Sequence, residues 1–207
     1  MLRRLERGAA LVEAALVLPI VLLLIFAILE FGFLWRNVNQ VERSLQSAGR
    51  TGSNLGTDRF ADFEILRAVD SGLDGMESAT IERVIVFNST DPDGTVPANC
   101  ISLDVAASPM SPHGVGGTCN VYSGAQVAVD SPSGFPTTGA NGCAGGSWDG
   151  SWCPSVRDDD EPGLTYLGVY VRIRYTPTTN VLQGPTLDVT RSTVYRVEPC
   201  VPIISAC

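Results

Sequence analysis

The chain has no lysine, a feature of composition and not of mechanism, and its one histidine, His113, stands in Ser-Pro-His-Gly-Val-Gly-Gly without clustered ligands. An ordinary loop histidine is the reading that follows. No Cys-x-x-Cys spacing occurs, which argues against zinc binding and thioredoxin-type redox chemistry. The glycine-rich run at 142–150 is not followed by Lys-Ser or Lys-Thr, so it is no phosphate loop, and no Gly-x-Ser-x-Gly elbow supplies a nucleophile. Basic charge is also scarce: from Arg36 onward, 11 arginines face 19 acids, a balance that argues against nucleic acid as a partner. These absences leave nothing that commits the chain to catalysis, and no cofactor or metal is expected.

What is present is concentrated at the start. From Ala9 to Trp35, 27 residues pass without Arg, Lys, Asp, Asn or Gln. As a helix they rise roughly 40 Å, more than the ~30 Å hydrocarbon core of a bilayer. A signal peptide has a shorter apolar region followed by small residues, whereas this segment runs into Glu-Phe-Gly-Phe-Leu-Trp-Arg and continues as helix. Membrane lipid is therefore its expected surrounding. Arg3, Arg4 and Arg7 outnumber Glu6 on the short side, which places the N-terminus in the cytoplasm and everything beyond Arg36 outside. Trp35, with Phe31 and Phe33, suits the outer interface.

Two acids interrupt the span. Glu13 costs at least ~2.5 kcal/mol near the centre of a membrane helix and less toward an end, so it either snorkels to the cytoplasmic interface, sits protonated, or meets a partner. Glu30 lies near the outer headgroups, where it reaches water or meets an arginine or backbone amine of a neighbouring helix. Pro19 removes a backbone hydrogen bond within the span and is expected to kink it.

The spacing around Glu13 carries a resemblance. A basic leader ending in Arg7-Gly8, then Ala9-Ala-Leu-Val and Glu13, resembles the processing and assembly signal of type IV prepilins. The wider string Arg7-Gly-Ala-Ala-Leu-Val-Glu-Ala-Ala-Leu-Val-Leu-Pro19, with Ile28-Leu-Glu-Phe-Gly32, is similar to the TadE-like family, minor pseudopilins of tight-adherence (Flp) pilus systems. Ala14 stands where many pilins of these systems carry an aromatic residue. The resemblance implies cleavage by a prepilin peptidase between Gly8 and Ala9. It also implies that Glu13 recognises the freed amine of a neighbouring subunit. A buried carboxylate and a buried ammonium relieve each other's desolvation, and either alone is costly, so such a pair sets register between parallel helices. The implied partners are other pilins and the inner-membrane assembly platform. A subunit-assembly role for Glu30 is a weaker implication.

Beyond the span, Val38, Val41, Leu45 and Ala48 form a helical stripe. Gly49, Gly52 and Gly56 are expected to break that helix. A second helix, capped at Thr57 or Asp58, presents Phe60, Phe63, Leu66, Val69 and Leu73 and stops at Gly72 and Gly75. Three stretches alternate or are rich in β-branched residues and read as strands: 79–88, 164–175 and 186–197. The expected fold class is α+β, a small, mostly antiparallel sheet with helices on one face, attached to the N-terminal transmembrane helix. The boundaries are 1–8 for the leader, 9–35 for the span and 36–207 for a pseudopilin-like domain, with a Cys/Gly/Pro-rich insertion at about 90–162.

Cys100, Cys119, Cys143, Cys153, Cys200 and Cys207 all fall outside the membrane, where disulfides form. Fifteen pairings are formally possible, and local pairing, 100 with 119, 143 with 153 and 200 with 207, is the expectation. Asp91 and Asp93 in Asp-Pro-Asp-Gly are weak calcium candidates, because no glutamate occupies the twelfth position of an EF-hand loop. The resulting expectation is a non-enzymatic minor pilin acting in priming, base formation or capping of an Flp-type pilus. Its expected location is a single-pass membrane protein with its domain extracellular or periplasmic, or within the pilus. The alternative is an uncleaved membrane-anchored extracellular binding or adhesion module.

Overall fold

In the computed structural model of the chain, the described residues are 2–76, 78–137, 146–160, 162–177 and 186–199, with backbone alone for 2–10. One helix, α1 (Leu2–Leu55), runs for 54 residues, about 80 Å, and passes through Pro19 without interruption. After a short turn, α2 (Ala61–Leu73) folds back along its outer part. The sheet then forms from β1 (Ala79–Ser89), β2 (Gly114–Val115), β3 (Cys119–Ser123), β4 (Tyr166–Tyr175) and β5 (Leu187–Arg196) in the order β2-β3-β1-β4-β5. Every pairing is antiparallel. Two one-turn helices, α3 (Ala98–Ile101) and α4 (Gly124–Val127), lie in the connections. The class is α+β, a small antiparallel sheet with helices packed on it.

The alternation of β1 and β4 gives the sheet two apolar faces. Val84, Val86, Tyr122, Leu167, Val169, Val171 and Ile173 meet Val41, Leu45 and Ala48 of α1 and Ile65, Leu66 and Val69 of α2 in the main core. Ile85, Phe87, Val121 and Tyr170 point the other way and are covered by Cys100, Val105 and Leu103. The disulfide between Cys100 and Cys119 fastens this cover to β3. Cys153 is also disulfide-bonded. Cys143, Cys200 and Cys207 lie outside the described residues.

One expectation changes. Gly49 and Gly52 do not break α1, which continues to Leu55 and stops at Gly56, where φ is +51°. Their reason is close approach: a Cβ on Gly49 would stand 2.3 Å from Tyr195 Cδ2, and one on Gly52 2.7 Å from Ile65 Cδ1. Small residues let β5 and α2 lie directly against the helix, and that packing outweighs the ~1 kcal/mol that a helical glycine costs relative to alanine. The insertion, in turn, is not all loop. It supplies β2 and β3, and β3 pairs with β1 from Arg83↔Ser123 to Phe87↔Cys119.

Candidate functional site: the apolar helix and its junction with the head

Helix α1 has two unlike halves. From Leu11 to Leu29 every large apolar side chain is exposed, among them Leu16, Ile20, Leu24 and Ile28. The helix is long and apolar enough to cross a membrane, with a mean hydropathy of 2.9 over its best window. Glu13 lies on this bare half and is exposed. Gly8 and Ala9 lie within the helix, one turn before it. Pro19 sits between Glu13 and the head.

The second half begins at Glu30. Its side chain is only 8 % exposed, and its Oε1 accepts a hydrogen bond of 2.7 Å from the hydroxyl of Tyr175, the last residue of β4. From there Leu34, Asn37, Val41, Leu45, Ala48 and Gly52 continue one buried or half-buried stripe at steps of three and four. Ser44 Oγ donates to the Val69 carbonyl (2.9 Å), and Gln40 Nε2 donates to the Gly72 carbonyl (3.2 Å), so α2 is tied along the same stripe. Glu30 therefore turns into its own head and not to bulk water. Phe31 and Trp35 point away from it, 65 % and 61 % exposed, with ring centroids 6.5 Å apart.

The head has its own polar centre. Asp62 and Arg157 form a salt bridge with both side chains fully buried. Asp62 Oδ2 also accepts from Asn120 Nδ2 (2.8 Å) and Tyr122 Oη (2.6 Å). Asn120 in turn clamps the backbone of Trp152, donating to its carbonyl and accepting from its amide at 2.7 Å each. Arg157 Cζ lies 4.4 Å from the centroid of the Trp152 ring. Burial, and after it the Asp62 carboxylate, pushes the Tyr122 hydroxyl well above its ordinary value. Around this hub Phe135 packs edge-on against Phe63 and Trp148, with centroids 5.5 and 5.0 Å away.

This cluster fastens the segment from Trp148 to Arg157 to the sheet and α2. Sequence reasoning missed it, although a signal was available. Asp62 precedes Ile65, Leu66, Val69 and Leu73 by three, four, seven and eleven positions, which puts a carboxylate on the apolar stripe of α2.

On the open part of the second sheet face, a β-bulge between Ile81 and Arg83 turns Glu82 toward Arg172 (2.9 Å) and Arg174. Asp188 closes the network from β5. Its hydrogen bond from Arg172 holds the Asp188 carboxyl below its usual range and raises Arg172 in return. His113 Nε2–H donates to the Ser108 carbonyl (2.9 Å), a contact within its own loop. Asp91 Oδ1 accepts from the Asp93 amide (3.0 Å), an Asx turn. Among the described residues no group of three His, Cys, Asp or Glu converges as a metal site.

No curated protein and no solved structure matches the chain. One family model does: residues 8–50, which span the bare half of α1 and most of the half that carries the head, match that of the TadE-like proteins.

Proposed function

We propose that the chain is a minor pilin of a tight-adherence pilus, anchored by α1 and trimmed between Gly8 and Ala9. Its work is to prime, seat or cap the filament through packing of the bare helix. One observation carries the reading most. The family match begins at Gly8, and the segment that follows is an exposed apolar helix of about 28 Å, with Glu13 one turn beyond the cleavage position. An amine at Ala9 would lie about 6 Å along the axis from the level of Glu13, so a small axial stagger between parallel helices brings the two together. Inside the bilayer each offsets the other's desolvation.

The partners in this reading are other pilins, the platform proteins and the prepilin peptidase. Glu13→Gln tests it: the variant inserts into the membrane as well as the parent or better, and co-purifies less with partner pilins. Unchanged co-purification and unchanged assembly would reduce Glu13 to a snorkelling residue and remove the main support for helix-driven assembly.

A further inference from the structure

One strand end meets α1 at the level where the bare half stops, and two more lie beside it in the sheet. Tyr175 ends β4 and reaches Glu30 through one side chain. Leu187 starts β5 and Ala79 starts β1, and both are cross-strand neighbours of Tyr175. The stretch of α1 from Ala9, where the apolar run begins, to Glu30 rises about 32 Å, close to the ~30 Å of a bilayer's hydrocarbon core. A helix that fills the core with this stretch brings Glu30 to the outer boundary, and no residues are left over for a stalk. The polar layer beyond that boundary is roughly 5–7 Å deep and lies level with the described ends of β4 and β5.

The chemistry there suits that layer. Leu187 is 43 % exposed at the tip of β5 although it is apolar. Beside it, Arg172, Arg174, Glu82 and Asp188 make a mixed-charge surface. On the far side of the helix, Phe31 and Trp35 present stacked rings at the same level.

We infer that the ends of β4 and β5 rest on the phospholipid headgroups of the outer leaflet. Glu30, acting through Tyr175, is the positioning residue that holds them at that depth. This assigns Glu30 a task within its own subunit, and it rests on the reading of α1 as a membrane span.

The test uses the full chain in phosphatidylcholine vesicles containing lipids with a nitroxide on the headgroup or on the acyl chain. A fluorophore is placed at Leu187→Cys, at Val21→Cys inside the span, and at Asp93→Cys beyond the far end of β1. That last position is more than ~30 Å from the strand ends, because β1 is 11 residues long. The Val21 probe is expected to be quenched by the acyl nitroxide. The Leu187 probe is expected to be quenched by the headgroup nitroxide several-fold more than the Asp93 probe. Adding Glu30→Gln or Tyr175→Phe should reduce quenching at Leu187 without altering it at Val21, a change in depth that a purely structural role would not produce.

If Leu187 is quenched no more than Asp93 while Val21 is quenched, the head does not sit on lipid and the inference fails. A Leu187 probe that is shielded from water yet unquenched points to contact with a second copy and overturns it equally. An unquenched Val21 probe refutes the membrane span itself, and the inference with it. Should Tyr175→Phe fail to fold, the three probes in the otherwise unaltered chain still decide.

Discussion

Asp62→Ala should be the most damaging single substitution in the head. Its carboxylate holds three partners, and the cost can be worked from them. Arg157 would keep its charge in a fully buried site without the carboxylate that pairs with it, which costs about 3–5 kcal/mol. Tyr122 would lose the acceptor of a buried hydroxyl, about 1–3 kcal/mol by itself. Asn120 would keep its bonds to Trp152, and so adds little. Because these terms share one site they do not sum, and a loss of about 4 kcal/mol is expected. Domains of this size hold roughly 5–15 kcal/mol in total.

Urea unfolding of the detergent-solubilised chain measures the effect. Trp148 and Trp152 flank the hub and report its loss by fluorescence. With an m-value of about 2 kcal/mol/M, the midpoint falls by about 2 M. The control is Asp62→Leu with Arg157→Met, which removes both charges and refills the space. Replacement of a buried pair by apolar residues is often close to neutral, so this double variant should be far more stable than Asp62→Ala. If the single variant loses less than about 1 kcal/mol, or the double variant is as unstable as the single, the pair is not the buried unit described.

Three further outcomes follow from the same packing. The Tyr122 hydroxyl keeps its proton in the folded head to higher pH than in the unfolded chain, which releases it near pH 10. Stability that is complete below about pH 10 is therefore lost as pH rises beyond it, by up to about 1.4 kcal/mol per unit, and Tyr122→Phe should flatten that alkaline slope in pH-dependent unfolding. Removing the Cys100–Cys119 bond by paired alanine substitution opens a loop of 19 residues' separation, and chemical denaturation should register a loss of about 3 kcal/mol. Gly49→Val should destabilise by about 1–3 kcal/mol in the same assay, since its Cβ would overlap the Tyr195 ring, whereas Gly32→Val, with nothing within 4 Å, should leave the head's stability unchanged.

The parts of the fold legible in the sequence are those whose forces act over short chain distances. A long apolar run broken only by Glu13 and Glu30 announced α1, and the alternation of Val169, Val171, Ile173 and Tyr175 announced β4. Gly49 and Gly52 misled because a glycine's local helix cost is visible in sequence, while the strand and helix that demand its small size arrive from residues 195 and 65. Strand β3 escaped because Cys119–Ser123 is five residues long and buried on both faces, so it shows no alternation.

The polar hub was hidden by separation. Asp62 and Arg157 are 95 positions apart, and although Asp62 falls on the apolar stripe of α2, nothing local to Arg157, which stands before an acidic run, names it as the partner. Glu30 was read from its depth along the helix. Its position on the stripe of Leu34, Val41 and Leu45 was equally visible, and that stripe is what turns it into the head.

In the function proposed, α1 is an assembly helix released by processing and not a simple anchor. The direct measurement is the N-terminal residue, by intact mass or N-terminal sequencing of the protein extracted from membranes of cells with an active prepilin peptidase. Ala9 is the expected N-terminus. A chain still beginning at Met1 or Leu2 contradicts it.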